Sequence, residues 1–213
     1  MTLTRTDVIS NQIVTSSTRP SSPTKGQVIY ETDTNLVYYY DGSSWRIFGL
    51  QTVGHTVLGG LATTITVTLP SITNGLHLLV YALLQADTNA TTGNLCPNND
   101  TTSANYFHQR FLGQNTTVSS SQTAAAGARM GNMDNGSTYW NAGYAWVYNY
   151  AGSGQKTMQS VYGSPQSLGT SAIILTEQCV WKSTAAITSL VLSATTGNFR
   201  AGSMLTVQVQ GSI

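Results

Sequence analysis

Apolar and polar residues alternate along most of the chain, which is typical of half-buried β-strands. Ile65–Leu69 alternates strictly and predicts a strand with one wet and one dry face. His77–Leu84 is almost continuously apolar, which favours a strand buried on both faces over a two-turn helix. Further predicted strands are Tyr106–Leu112, Tyr144–Tyr150, Thr157–Tyr162, Ala172–Trp181, Ile187–Ser193 and Ser203–Gln210. Because almost no helical period occurs, residues 54–213 are predicted to form an antiparallel β-sandwich or jelly roll, and the fold class is all-β.

A smaller β unit is predicted ahead of this domain, over residues 26–50. Short strands at Val28–Tyr30, Leu36–Tyr40 and Trp45–Phe48 are separated by turn residues, including the pair Asp41-Gly42. Three strands of this length bury little surface, so the three-stranded meander needs a neighbour or copies of itself. We expect it to anchor or trimerise the protein.

Two segments are predicted to lack regular structure. Residues 1–25 are polar, and Pro20 and Pro23 disfavour a helix, so we expect an extended N-terminal arm. Val118–Gly127 is rich in Ser, Ala and Gly and predicts a long flexible loop at an exposed tip.

Charge is scarce: 17 of the 213 residues are Lys, Arg, Asp or Glu, and the net charge is +1. Without a basic cluster we expect no nucleic-acid partner. No apolar run approaches the roughly 18 residues of a membrane span, so we expect no membrane insertion. Residues 1–7 lack the apolar core of a signal peptide, so classical secretion is not expected. Cys96 and Cys179 are expected to be free, buried thiols.

The segment from Arg19 to Trp45 resembles a module of tailed-bacteriophage virion proteins. The shared order is a Pro-x-x-Gly arm (Pro23 to Gly26), a strand, an acidic turn (Glu31 to Asn35), an aromatic strand and a Gly-x-x-Trp close (Gly42 to Trp45). The match spans 27 of the 213 residues. The resemblance implies a structural protein on the surface of a phage particle, usually a symmetric homo-oligomer and often a trimer. It leaves open whether that place is the head or the tail.

No catalytic, cofactor-binding or metal-binding residues are predicted. The three histidines lie in different predicted elements, and no nucleophile–base motif or phosphate-binding loop occurs. Asp33 and Asp41 are at turns, where aspartate ordinarily bonds to nearby backbone. Glu177 interrupts an apolar strand and is expected to face solvent, with pairing to an arginine across an oligomer interface as the alternative. We therefore expect no enzymatic activity.

Aromatic residues supply the candidate contact sites. Six in the meander are predicted to anchor the protein or to form oligomer contacts: Tyr30, Tyr38, Tyr39, Tyr40, Trp45 and Phe48. A second, uncharged group comprises Tyr139, Trp140, Tyr144, Trp146, Tyr148 and Tyr150. If exposed, these rings could stack on sugars; the favoured interpretation places the even-numbered ones of the strand in a core or a subunit contact. Tyr139 and Trp140 are the candidates for facing a receptor.

The sequence thus favours a non-enzymatic virion structural protein, tail-associated or fibre-type, that contacts a host receptor. The expected partners are further copies of the chain in a homotrimer, other virion proteins and a host surface glycan. A capsid (head) decoration or cement protein is the close alternative. A soluble glycan-binding module or depolymerase is the third hypothesis, weakened in its enzymatic form by the lack of a convincing carboxylate pair.

Overall fold

A computed structural model describes residues 12–72, 75–88, 91–114, 116–122, 125–133, 139–167 and 171–211. It confirms the all-β prediction: about 60% of the described residues are in strands, and none of them is in an α-helix. In chain order the strands are β1 (Gln12–Val14), β2 (Val28–Glu31), β3 (Leu36–Tyr40), β4 (Trp45–Ile47), β5 (Leu50–Val57), β6 (Thr64–Thr68), β7 (Gly75–Leu84), β8 (Thr91–Pro97), β9 (Tyr106–Gln114), β10 (Thr117–Ser121), β11 (Ala128–Met133), β12 (Asn141–Tyr148), β13 (Lys156–Ser167), β14 (Ser171–Trp181), β15 (Ser189–Ala194) and β16 (Met204–Gly211). A 3₁₀ turn, Ser103–Asn105, precedes β9.

The N-terminal segment forms a four-stranded sheet in the order β1-β2-β3-β4, which we call the small sheet. Strands β2 to β4 are the antiparallel meander that the sequence predicts. Its two turns contain Asn35 (φ 59°) and Gly42 (φ 104°), residue types that tolerate left-handed backbone. The arm contributes β1, which pairs with β2 in parallel. Part of the expected arm is therefore held in a sheet by its own chain.

The remaining strands form two antiparallel sheets packed as a sandwich. The larger has eight strands in the order β10-β9-β14-β13-β12-β7-β16-β5, and the smaller has four in the order β11-β8-β15-β6. Strand β5 begins at Leu50, directly after the small sheet, so it spans the interval between the two predicted units. The helix alternative for His77–Leu84 is wrong, because this segment lies within β7. Burial of this strand on both faces is wrong as well, since Tyr81 is 40% exposed.

One hydrophobic core runs through all three sheets. It joins Ile65 and Val67 of β6, Val80 of β7 and Val207 of β16 to residues of the small sheet such as Ile47. These side chains occur at alternate positions, as strand geometry requires. The small sheet therefore covers one end of the sandwich core, and this packing within the chain gives it the neighbour that its size demands.

The expected flexible loop at Val118–Gly127 is wrong in its first half. Residues 117–121 form β10, an edge strand antiparallel to β9. Val118 is 80% exposed, and no residue of β10 is buried. An edge strand outside the core gains its order from backbone hydrogen bonds to one neighbour, so a serine-rich segment satisfies it without an apolar pattern.

Candidate functional site

The six predicted contact aromatics of the small sheet have unequal exposure. Tyr38 and Trp45 are 1% and 7% exposed and belong to the chain's own core. Tyr30, Tyr39 and Tyr40 are half-buried. Phe48 is 59% exposed and meets Tyr39 edge to face, with ring centroids 6.1 Å apart. The surface of this group that a partner could reach is thus concentrated at Phe48 and Tyr39.

Arm residues are fastened to the small sheet by an ion pair and a ring contact. Arg19 bonds through Nε to Glu31, whose side chain is fully buried, and its guanidinium lies 4.6 Å from the centroid of the Tyr38 ring. The hydrogen bond from Arg19 compensates the buried carboxylate and raises the pKa of Arg19. Ser16 donates its backbone N–H to Asp33 Oδ1 at 2.9 Å. The arm from Gln12 onward therefore lies on its own chain.

Asp33 and Asp41 are each held by hydrogen bonds at their own turn. The guanidinium of Arg46 donates to Asp41 Oδ2 at 2.8 Å, and the backbone N–H groups of Ser43 and Ser44 donate to Oδ1 at 2.7 Å. These hydrogen bonds hold the pKa of Asp41 far below its usual range, and the bond from Arg46 has the largest effect. Asp33 has a lowered pKa because of its hydrogen bonds with Ser16. Both carboxylates serve local structure.

The eight-stranded sheet presents a continuous uncharged surface to solvent. The odd-numbered residues of β7, β9 and β13 and the even-numbered residues of β12, β14 and β16 point away from the core, because their alternate neighbours are buried. No Asp, Glu, Lys or Arg occupies these outward positions in the part of the chain that the structure describes. We call this surface the outer face. Its ring-bearing residues are Phe107, Phe111, Tyr144, Trp146, Tyr148, His77 and Tyr81, and its glutamines are Gln109, Gln159, Gln178, Gln208 and Gln210.

Three rings in the middle of the outer face, those of Trp146, Tyr148 and His77, are in contact. Trp146 and Tyr148 stack at 6.4 Å with 21° between their planes, and His77 meets Tyr148 at 5.0 Å and 71°. Tyr144 and Tyr81 are directly opposite each other on β12 and β7, and both are about two-fifths exposed. Assignment of the even-numbered aromatics to the core is therefore wrong for the three residues on β12, where the alternative of a subunit contact stays a prediction. It is right for Tyr150, which is 2% exposed.

A groove lies where the small sheet meets the outer face. Its volume is about 290 Å³, and it is lined by Tyr39 and Ile47 on one side and by Leu50, Trp146 and Gln210 on the other. None of its lining residues is charged. Aromatic walls with a nearby amide can hold a small neutral molecule by ring contact and hydrogen bonding.

The predicted receptor-facing residues lie away from this groove. Tyr139 is half-buried and Trp140 is 42% exposed. They precede β12, at the opposite end of that strand from Trp146 and Tyr148. Trp140 rests against Gly202, since a Cβ placed on that glycine would lie 3.0 Å from the indole. Of the loop expected around them, residues 134–138 are outside the described residues.

Glu177 does not face solvent, and its predicted exposure is wrong. It is 1% exposed and lies between the two sheets, where His108 Nδ1 is 3.1 Å from its Oε1. The backbone N–H of Arg129 donates to the same oxygen at 3.1 Å. His108 Nε2 donates to the carbonyl of Ala125 at 2.7 Å. The contacts with His108 and Arg129 satisfy Oε1 of this buried carboxylate, while its Oε2 has no hydrogen-bond partner among the described residues.

Sequence reasoning missed this pair, although the signal was in the alternation. Glu177 has the same parity as Leu175 and Cys179, which are apolar and inward, and the same rule applied to β9 turns His108 inward. Three potential ligand atoms of His108, Glu177 and Cys179 lie within 4.8 Å of one another. However, Glu177 is at the Nδ1 side of the imidazole and Cys179 at the Nε2 side, 3.9 Å away. Because ring nitrogens bind metals along diverging directions in the ring plane, one ion cannot engage all three as they stand.

The arrangement of Cys179, His108 and Glu177 also does not activate the Cys179 thiol as a nucleophile. His108 Nε2 carries its hydrogen toward Ala125 and so cannot accept the thiol proton. Cys179 is fully buried, and this burial raises the pKa of its thiol. Burial likewise raises the pKa of the Cys96 thiol to about 12, and both cysteines are free and buried, as predicted. The cluster is suited to holding the segment around Ala125 and β11 against the large sheet.

Comparison with known proteins adds no identity to this geometry. The chain matches no protein-family model, and neither the curated proteins nor the solved structures give a significant match. In the described ranges no helix has the length and apolarity that a membrane span requires.

Proposed function

We propose that the chain is a non-enzymatic structural protein of a bacteriophage virion, tail-associated or fibre-type, which contacts a host surface glycan. The observation that carries this proposal is the outer face, a broad sheet surface of rings and glutamines without charge. Exposed patches of this kind are typical of binding surfaces. The module resemblance of residues 19–45 supplies the connection to a phage particle.

The position of the arm favours the tail over the head. A cement protein would extend its arm across neighbouring capsid subunits. Here β1 pairs with β2, and Arg19 is bonded to the buried Glu31 of the same chain. The part of the arm from Gln12 onward is committed to its own chain and so has less backbone and side-chain surface to offer to a capsid, which supports the fibre-type role.

Immunogold labelling of phage particles whose genome encodes the chain tests where the protein lies on the particle. Antibodies raised against the full recombinant chain are expected to place gold at the tail. Gold distributed over the head would favour decoration of the capsid instead. Particles without gold, against a positive control antibody to a major capsid protein, would contradict the virion assignment itself.

Homotrimer formation is part of the proposal. Two large apolar residues of the small sheet remain exposed within one chain, Ile13 at 73% and Phe48 at 59%. Burial against symmetry mates would remove them from water. Mass measurement in solution at micromolar concentration is expected to give three times the mass of the 22.7 kDa chain. A stable monomer at that concentration would contradict it.

A further inference from the structure

We propose that the groove between the small sheet and the outer face binds one neutral sugar ring of a polysaccharide, with Trp146 and Tyr39 as its aromatic walls and Gln210 as a hydrogen-bonding group. The inference names the ligand class and the residues of the glycan contact proposed above, and so rests on that function.

The first argument is the match between the lining and a sugar. A pyranose ring has an apolar face of C–H groups and a rim of hydroxyls. Trp146 and Tyr39 offer ring surface, Leu50 adds an aliphatic contact, and Gln210 carries an amide with both donors and an acceptor. The volume of about 290 Å³ is just below the roughly 300–1,000 Å³ of sites for drug-sized molecules, which suits a single ring.

The second argument is charge. The groove and the outward positions beside it lack carboxylate and ammonium groups in the described residues. An anionic polysaccharide would find no arginine or lysine in the groove to pair with, and a cationic one would find no carboxylate. A neutral chain loses nothing by this, because its hydroxyls need only dipolar partners.

The third argument separates a glycan from a second copy of the protein. Five glutamines are distributed among the rings of the outer face, and two of them, Gln159 and Gln178, are exposed. A dry subunit interface would have to satisfy every one of these amides. A single sugar ring held in the groove leaves Gln159 and Gln178 in water, where solvent satisfies their amides.

Affinity electrophoresis of the full chain tests the inference. Native gels containing dextran, galactomannan or laminarin serve as neutral probes, and gels containing polygalacturonate serve as the charged comparison. We expect at least one neutral polysaccharide to slow the protein and polygalacturonate to leave it unchanged. Trp146→Leu should raise the dissociation constant for the polysaccharide at least tenfold. Leucine keeps apolar cover over Leu79, which is 7% exposed and directly opposite position 146 on β7, and it removes the ring face.

Matched controls distinguish the groove from the rest of the surface. Trp140→Leu removes an exposed tryptophan at the other end of β12, and Gln178→Ala removes an outer-face glutamine two strands from Trp146. Both should bind as the unchanged chain does, whereas Gln210→Ala should bind more weakly. Thermal unfolding of each variant verifies that it is folded, and Tyr39→Leu provides a second test if Trp146→Leu is not.

Four results would overturn the inference: no retardation by any of the three neutral probes, retardation by polygalacturonate alone, equal loss of binding in Trp140→Leu, or self-association through Trp146 without polysaccharide binding. Failure of the proposed function looks different. Gold-labelled particles together with no polysaccharide binding would refute sugar binding in the groove and support the virion role. Polysaccharide binding with unlabelled particles removes the virion role and keeps the groove.

Discussion

The buried pair of His108 and Glu177 predicts a specific pattern of stability in single and double variants. Glu177→Leu would leave His108 Nδ1 and the backbone N–H of Arg129 without an acceptor between the sheets. Breaking a buried pair by removing one partner costs about 3–5 kcal/mol. For a chain of this size, a loss of 1 kcal/mol lowers Tm by about 2–4 °C, so we expect a drop of roughly 6–20 °C.

The reciprocal variant and the double variant decide whether the two residues act as a unit. His108→Leu leaves Glu177 with only the Arg129 N–H and should cost a similar amount. In the double variant both polar side chains are gone, and the unpaired groups are the Arg129 N–H and the Ala125 carbonyl, at about 1–3 kcal/mol each. The double variant should therefore cost about as much as one single variant.

Urea unfolding followed by tryptophan fluorescence, at fixed protein concentration, measures the free energies of unfolding. Gln178→Leu is the matched control, since it changes the next residue of β14 on the exposed side and should stay within about 0.5 kcal/mol. Additive losses in the double variant, to within about 0.5 kcal/mol, would refute the coupling. A single Glu177→Leu variant as stable as the control would refute the buried pair altogether.

Three further predictions concern acid stability, the sheet junction and the thiols. The pKa of Asp41 in the folded protein lies below its value of about 3.9 in the unfolded chain, so the stability from its hydrogen bonds is present above about pH 3.9 and is lost as the pH falls below it. Asp41→Asn should therefore flatten the fall of Tm that is measured between about pH 5 and 2. The same fall of Tm in this variant as in the unchanged chain would contradict the prediction. Gly211→Ala should lower the free energy of unfolding in urea by about 1–3 kcal/mol, because its Cβ would lie 2.5 Å from the Ile47 carbonyl oxygen. The control Gly163→Ala has open space at its Cβ and should change that free energy by no more than about 0.5 kcal/mol. Equal effects of the two variants would refute the close contact between Gly211 and Ile47. Ellman's reagent at about pH 8 should label neither Cys96 nor Cys179 in the native protein and both after denaturation, since burial raises both thiol pKa values; rapid native labelling would show that a thiol is accessible.

Local pattern was sufficient to predict most of the strands. Alternation over Ile65–Leu69 and the turn signal at Asp41-Gly42 predict structure that depends on neighbours in sequence, and both occur in the fold. The strands that sequence reasoning missed, such as β10 and β11, are rich in Ser, Gly and Asn or lie at sheet edges. The order of β10 comes from backbone pairing, which leaves little trace in the side-chain pattern, whereas β11 also contributes Ala128, Met130 and Met133 to the core.

The sequence by itself determined that the chain is all-β, where its meander turns and that its surface is poor in charge. Only the tertiary structure decided which face of each strand is covered. With 8% charged residues, outward positions are filled by Thr, Gln and Tyr, so polarity marks the two faces of a strand weakly. Strand pairing then brought His108 to Glu177 across 69 positions and placed Tyr39 beside Trp146 in one groove. Such contacts depend on the register between distant strands, and alternation within one strand shows which face a residue occupies but not which residue of a distant strand lies opposite it.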